Sequence, residues 1–547
     1  MKMIFSRLPI FNLLHFLAPA SSTFFYPTVQ SSLLEHILVD THGAHASDFI
    51  DAITPCTNYV SGSQTLGRIT SAQWIRVAFH DFVTADVAAG TGGLDASIGF
   101  ETLRGENSGS AMNDSLGFFR PRVNSKIATA DFIALSVVMS VGNCGGPQIP
   151  LRGGRVDAIA AGASGVPAAD SSLEETLGFF GGAGFNKVDS IGLTACGHTM
   201  GNVHHKGFPT VVGAETVSAN NTGGGVHFDS TVATFDSLVV HEYLNGTGNR
   251  GGPLVTSFNV SSRSDLRLYE SDNNATMAGL ATHSNVFFDT CVDLFQRMLN
   301  TVPTGVVLSD VIKPMPVKPI NATLDFDNDG NLIFTGYIRV SSMSYIISDQ
   351  IAYSHQTLAP GTSAAPQSLT LTTSLNEQGL HLSPESETGS SIFGSTTFFP
   401  FNTQISKPEA FTSFTVSGPG ISSQSFPVQS GAFVVPSLTT VTATNITTAT
   451  IRFSVATRQG SGGYVSRMMK RDGAKAPNIS IQAPVAQEGT LGPKIEAFNN
   501  VAVAGVGQKA GYDVWEGSVI VYDWTLGPLS ISVLDGKGAE VDVAMVN

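Results

Sequence analysis

The spacing of hydrophobic positions changes near residue 305. Before it, apolar residues recur at steps of three and four. Residues 72–82 place Ile75, Ala78, Phe79 and Phe82 on one face, and residues 127–139 and 292–299 behave similarly. That period predicts helices, here separated by glycine-rich turns. Residues 191–201 read as a further apolar helix that ends at glycines and carries one histidine, His198. Residues 303–320 contain Pro303, Pro314, Pro316 and Pro319, which predict a linker. After them come short alternating runs over 332–340, 410–416, 451–455 and 518–524, rich in β-branched and aromatic residues and punctuated by Gly, Pro, Asn and Ser. Such runs predict antiparallel strands in a β-sandwich. A length of 547 residues fits two to four domains at roughly 150 residues each. The expected organisation is therefore multidomain: a leader over 1–22, a mainly α-helical domain over 23–302, a linker over 303–320, and one or two Ig-like sandwiches over 321–547.

Composition narrows the function classes. Lys and Arg total 29 against 43 Asp and Glu, a net charge of −14, and only 13% of residues are charged. Phosphate backbones need concentrated basic surface, so nucleic acid is not expected as a partner. Hydrophobic residues make up 42% of the chain, enough to argue against intrinsic disorder. Lys2 and Arg7 precede an apolar stretch over 8–19 and the small residues Ala20, Ser21 and Ser22. This pattern describes a secretory signal peptide, the alternative being a buried first helix. No later segment offers about 18 uninterrupted apolar residues, so no membrane span is expected. Acceptor sequons at Asn113, Asn220, Asn245, Asn259, Asn274, Asn321, Asn445 and Asn478 fit a secreted, extracellular glycoprotein. The four cysteines, Cys56, Cys144, Cys196 and Cys291, lack zinc-site spacing. Disulfides suit that compartment, with three pairings open.

The segment from Trp74 to Asp81 carries the chemistry. On a helix Arg76 and His80 are four residues apart and share a face with Phe79 beside them. A fixed cation disfavours imidazolium, so the histidine is held neutral. A neutral imidazole beside a guanidinium can accept a proton while the cation stabilises developing charge. Alone, Arg-x-x-x-His also describes an ordinary surface cluster. Likewise, a lone His198 on an apolar helix also describes a satisfied core residue.

Together, the Arg76–Asp81 motif and the His198 helix resemble the plant, fungal and bacterial haem peroxidase superfamily, in its secreted fungal-like branch. Residues 150–157 (Pro-Leu-Arg-Gly-Gly-Arg-Val-Asp) and 268–272 (Leu-Tyr-Glu-Ser-Asp) are similar to later family segments in the right order. The resemblance covers roughly residues 50–300. It implies haem b with His198 as the axial iron ligand and Asp272 accepting the other ring N–H of that histidine. It implies His80 as distal base, Arg76 as charge stabiliser, and Asn107 as acceptor of the His80 Nδ1 proton, with Glu101 in the network behind. Phe79 and Pro167 would line the haem. Asp81, Gly93, Asp95 and Ser97 match a distal calcium loop, for which an Asx-type turn is the bland alternative. Thr199 and Asp229 are candidates for a second, proximal calcium. Cys144 resembles a cysteine that pairs upstream of the distal helix, which implies Cys56–Cys144. Cys196 and Cys291 are then either paired or buried thiols.

The resemblance also bears on donors. Phe79 stands where the intracellular branch has Trp, and spacing after His198 puts Val212 near that branch's proximal Trp. The three tryptophans, Trp74, Trp515 and Trp524, provide neither that residue nor a surface relay in this domain. Ile69 and Gln73 occupy the positions of manganese-binding glutamates, so a manganese site is not expected. The implied function is an oxidoreductase that reduces hydrogen peroxide and oxidises small reducing substrates, phenolic or aromatic, by one-electron steps. The alternative is a wall or adhesion glycoprotein with a vestigial peroxidase domain, its β region contacting cell wall or glycan. Asp325 to Gly330 begins like an EF-hand loop, but Gly336 occupies the position of the required Glu, so a hairpin turn is the reading. Lys470-Arg471 reads as an exposed loop or a dibasic processing site. His355 and His381 lie far apart without evident partners.

Overall fold

The computed structural model describes residues 21–22, 24–59, 68–342, 366–445, 447–459, 476–522 and 526–546. The expected leader up to residue 20, His355, Lys470-Arg471 and Trp524 lie outside the described residues. The helices are α1 (Val29–Val39), α2 (Thr70–Phe82), α3 (Ala111–Phe119), α4 (Thr129–Asn143), α5 (Leu173–Gly182), α6 (Lys187–Gly197), α7 (Leu238–Asn245), α8 (Pro253–Thr256), α9 (Ser264–Tyr269), α10 (Ala275–Leu280) and α11 (Ser284–Asn300). From Val317 onward the described chain is strand-rich.

Local chemistry explains the helices that matter for the site. Helix α2 buries Trp74, Ile75, Val77, Ala78 and Phe82 in the helical core. Helix α4 is apolar on nearly every side and lies inside that core, where an all-round hydrophobic helix must go. Asp157 accepts the N–H groups of Thr129 and Ala130 and so satisfies two orphan donors at the start of α4. Helix α6 opens with a reciprocal capping box between Asn186 and Asp189. It ends at Gly197, with His198 as C-cap and Gly201 turning the chain at φ +90°. The disulfides are Cys56–Cys144 and Cys196–Cys291. The second ties α6, two residues before His198, to α11.

The strand region pairs antiparallel throughout. One sheet of five strands includes Val317–Phe326, Leu332–Ser341 and Gly394–Gln404, and faces a four-stranded sheet through a core containing Phe334, Phe399, Phe401, Phe414 and Phe426. A second pair of sheets encloses Ile451, Phe453, Val455, Ile479, Ile481 and Ile531. The loop after Phe326 is a hairpin turn in which Asp327 accepts the N–H groups of Asp329 and Asn331, and Gly330 has φ +82°.

The two regions interlock. Ser21 and Ser22 pair with Met545 and Ala544, so an edge strand reaches into the stretch expected to be leader. The Tyr26 ring packs on Phe414 and Phe426 while its hydroxyl donates to the Pro427 carbonyl at 2.6 Å. His42 and Gly43 add a short strand beside Thr388–Ser391. Residues 303–316 also differ from a free linker. Thr304, Ser309 and Ile312 donate backbone N–H to Gly90, Gly153 and Leu151 of the helical region, and the first long strand begins at Val317.

A buried ion cluster sits where α1 meets these strands. Glu35 and Asp40, at 2% and 1% exposure, face Lys318 and Arg339, at 2% and 0%. Lys318 Nζ lies 2.6 Å from Glu35, Arg339 pairs with both carboxylates, and Asp40 also takes a hydrogen bond from His36. Burial alone would push the Glu35 carboxyl up, but the charges of Lys318 and Arg339 outweigh it and hold it at about 2, against an ordinary 4.5. A carboxylate with a depressed folded-state pKa stabilises the fold above its unfolded pKa and loses that contribution as pH falls through the folded one. Stability of the intact chain is therefore expected to fall between pH 4.5 and about 2. Glu35→Ala, which leaves the buried Lys318 without its ion-pair partner and Arg339 with Asp40 alone, is expected to cost about 3–5 kcal/mol in denaturant unfolding. A cost below about 1 kcal/mol, in the range of exposed pairs, would show that the cluster does not hold the regions together.

Candidate active site

Helices α2 and α6 flank a cavity of about 400 Å³. Arg76, Phe79 and His80 line it from α2, His198 from the end of α6, and Phe208, Phe228 and Pro167 complete much of the wall. The helical period puts Arg76 and His80 on the same face of α2, toward the cavity. Gly201 comes so close to Ala72 that a Cβ there would meet the Ala72 methyl at 2.6 Å, and both residues line the cavity. Any side chain at position 201 would narrow this space.

On the α2 side, His80 Nδ1 lies 2.7 Å from Asn107 Oδ1, and Asn107 Nδ2 donates to the Glu101 backbone carbonyl at 2.9 Å. Glu101 thus acts on this chain of bonds through its main chain. Its carboxylate instead accepts the Gly162 N–H and pairs with Arg104. Because Asn107 presents an oxygen, the proton of neutral His80 sits on Nδ1, leaving Nε2 as the basic atom. Burial depresses the imidazolium pKa first and the Arg76 charge second, offset in part by the Asn107 bond, down to about 3. Burial, then repulsion from Arg68, lowers Arg76 to about 10, so it stays cationic at neutral pH. Asn113 sits exposed on α3 and takes no part.

On the α6 side the structure corrects two expectations. The acceptor of the His198 Nδ1 proton is Asp265, at 2.6 Å, not Asp272. Asp265 sits in the first turn of α9, whereas Asp272 lies beyond that helix. The Asp272 carboxylate folds onto the start of α10 instead, accepting the N–H of Thr276 at 2.9 Å and its hydroxyl. The sequence signal is the Ser-Asp-Leu-Arg-Leu run at 264–268, which begins four residues upstream of the 268–272 segment. The residue against the His198 ring is Phe228, parallel within 6° at 4.2 Å between centroids, not Val212. Val212 is buried in the core, and its carbonyl lies 2.7 Å from His205 Nδ1. Phe228 arrives from a separate short strand-and-loop segment, so spacing after His198 could not identify it.

Two clusters of buried oxygens flank the cavity helices. Asp81 Oδ2 accepts the N–H groups of Asp95 and Ala96, and Oδ1 accepts that of Ile98 and the Ser97 hydroxyl. Gly93, at φ +103°, lies against the Thr301 carbonyl, which a Cβ would approach to 2.5 Å. Burial, then the neighbouring Asp95, pushes the Asp81 carboxyl well above the carboxylate range, and Asp95 is raised too, chiefly by burial. Among the described residues no Lys or Arg pairs with either. Beside His198, Thr199 donates to the Asp236 carbonyl at 2.6 Å and lies 3.4 Å from Asp229. Asp229 also accepts from Thr231, and burial plus Asp236 raises its carboxyl to about 7. These oxygen-rich, cation-free sites suit a hard cation, although each offers few carboxylates. Among the described residues no group of three or more His, Cys, Asp or Glu forms a metal cluster.

Comparisons with known proteins place this geometry. A family model described as Peroxidase matches residues 58–284. A "WSC domain-containing protein" of Arthroderma benhamiae is 39% identical over 325 residues, covering 58% of this chain and 44% of that protein. "L-ascorbate peroxidase 2, cytosolic" of Arabidopsis thaliana is 29% identical over 133 residues, 24% of this chain and 53% of its own length. "Putative L-ascorbate peroxidase 6" of the same plant is 32% identical over 143 residues, 25% of this chain and 42% of its own. The chain thus spans about half the length of these relatives. The strand-rich extension is unassigned. No helix among the described residues is long and apolar enough to cross a membrane. Arg76 and His80 face His198 and Asp265 across one cavity inside residues 58–284, the span that matches the Peroxidase model, and that match, with the distant ascorbate peroxidase relatives, supports the haem peroxidase superfamily.

Proposed function

We propose that the protein is a secreted, haem-dependent peroxidase that reduces hydrogen peroxide and oxidises small phenolic or aromatic donors one electron at a time. The observation that carries this reading is the opposition of two imidazoles across one cavity, each with its Nδ1 engaged. The donor set suits haem b, with one neutral nitrogen ligand on one side and a free base on the other. When bound, haem supplies the redox-active iron at which peroxide is reduced and donors are oxidised. His198 would offer its Nε2 to the haem iron. Asp265, by accepting the Nδ1 proton, fixes the ring and makes that ligand more basic.

His80 moves the proton. Its Nε2 takes one from entering peroxide and returns it to the departing oxygen, while Asn107 holds the other ring nitrogen. Arg76 stabilises the negative charge that grows on the departing oxygen, in surroundings where burial strengthens the interaction. Phe79, Phe208 and Phe228 keep the cavity apolar. Pro167, at its wall, would lie at the edge where small donors approach. Peroxidases named for ascorbate match only a quarter of the chain, so ascorbate belongs in the assay beside a phenol rather than in the assignment. Asp81, Gly93, Asp95 and Ser97 would hold a calcium that braces the end of α2, and Thr199 with Asp229 a second one behind His198. Secretion fits two disulfides and the acceptor sequons.

Purified protein supplied with haem is expected to show a Soret band and to oxidise a phenol only with peroxide. Absence of either in folded protein would overturn the assignment and favour a vestigial domain. His80→Leu is expected to keep the Soret band and lose about 10²–10⁴-fold in peroxide rate. Asp265→Ala is expected to cost roughly 10–100-fold in haem affinity or turnover, and Asp272→Ala far less. The reverse order would reinstate Asp272. Removal of calcium with a chelator is expected to lower Tm, with calcium but not magnesium restoring it. A Tm indifferent to chelation removes both calcium sites.

A further inference from the structure

The strands Asn478–Val485 and Lys494–Asn499 pair antiparallel, and the loop between them reaches into the helical region. Glu488 and Gly489 are exposed in that loop, but Thr490, Leu491 and Gly492 are half-buried and Pro493 is buried. The Leu491 side chain packs on the helical core, and its N–H donates to the Gly99 carbonyl at 3.3 Å. Thr490 closes over Gly99, where a Cβ would meet its Oγ1 at 2.6 Å, and the same hydroxyl accepts the Gly492 N–H. The loop does not hang free. Its sheet also carries Ser530 and Glu540, which lie 2.7 Å from Ser125 Oγ and 2.8 Å from Lys126 Nζ ahead of α4. Gly99 itself belongs to the single 3₁₀ turn Ser97–Phe100. Within the helical region that turn is held by Asp81, the neighbour of His80, which accepts the Ile98 N–H and the Ser97 hydroxyl.

We propose that residues 490–492 are a positioning element for His80: by holding Gly99 they fix Glu101, and with it the Asn107 amide that sets the His80 ring. The proposal rests on the peroxidase reading above, in which His80 Nε2 moves the proton. The path is short. The Glu101 N–H donates to the Ile98 carbonyl, so Glu101 moves with the turn. Its own carbonyl accepts from Asn107 Nδ2, and Asn107 Oδ1 lies 2.7 Å from His80 Nδ1. A shift of the turn therefore tilts the amide, and the amide re-aims the ring. A single 3₁₀ turn has poorer hydrogen-bond geometry than an α-helix and relies on contacts from outside. Here those contacts come from Asp81 on one hand and from the strand-rich extension on the other. The extension thereby contributes to the peroxide step while touching neither peroxide nor donor.

The test is a two-residue cycle across the contact, in full-length, haem-loaded protein. Gly99 lies outside the left-handed region, so its backbone accepts alanine. Gly99→Ala drives a methyl against Thr490 Oγ1 and is expected to lower kcat/KM for peroxide about tenfold, within the roughly 10²-fold that a 1 Å misplacement can cost. The Soret band and kcat/KM for a phenol should not change. Adding Thr490→Ala, which leaves the new methyl 3.9 Å from the Cβ of residue 490, should recover most of the loss. No loss in Gly99→Ala, no recovery in the double variant, or equal loss toward peroxide and phenol each overturns the proposal. Leu491→Ala withdraws the packed side chain and decides the matter should Gly99→Ala not fold. In the full-length protein as purified, it should quicken hydrogen exchange over residues 97–107 and leave that over α6 unchanged. Unaltered exchange over 97–107 overturns the proposal. A wild type with no Soret band, or inactive toward phenol and peroxide, overturns the peroxidase reading instead, and the exchange measurement still decides the contact.

Discussion

The proposed chemistry needs two imidazoles that each offer Nε2 to the same cavity, and that requires an acceptor at Nδ1 on both sides. Asn107 meets the requirement for His80 and Asp265 for His198. The difference between the two acceptors matters. A neutral amide leaves His80 a base with little tendency to hold a proton, in line with its deep burial beside Arg76. A carboxylate makes His198 a stronger donor to a metal. Much of the helical region serves to keep these partners aimed. Helix α4 fills the core beside α2, the Asn186 capping box starts α6, and the Cys196–Cys291 bridge fastens α6 to α11.

The strand-rich extension is joined to this machinery along several lines. The segment before α1 and the turn after it enter both pairs of sheets, and the buried Glu35–Lys318–Arg339–Asp40 cluster closes the junction. Further contacts reach the stretch between α2 and α4. The Leu491 N–H donates to the Gly99 carbonyl in the loop that follows Asp95 and Ser97, and Lys126 pairs with Glu540. A buried charge cluster tolerates little displacement, because separating any member strands the others in low dielectric. The extension therefore acts on the helical region at least as a brace, whatever else it binds.

Much of the site was legible because its members lie close in sequence or in distinctive contexts. Arg76, Phe79 and His80 fall on one helical face by period alone, and His198 follows an apolar helix with a glycine stop. Asp265 was missed because several acidic residues, Asp265, Glu270 and Asp272, follow within eight positions. Only the helix boundary at Tyr269 decides which one points back. Phe228 and the contact of Leu491 with Gly99 were out of reach for a stronger reason, since each joins segments brought together only by packing. The proline-rich stretch over 303–320 reads as a linker from composition. Its hydrogen bonds to Gly90, Gly153 and Leu151 depend on partners more than 150 residues upstream.

The sequence by itself determined the change from helical to strand period, the Arg76–His80 face, the His198 helix and the scarcity of oxidisable tryptophan. These are local properties, written in spacing and residue type. The tertiary structure alone decided which carboxylate holds His198, which ring covers it, that Cys196 and Cys291 pair rather than stay buried thiols, and that the two regions interlock. Those depend on directions of side chains from distant segments, and direction is set by packing rather than by period.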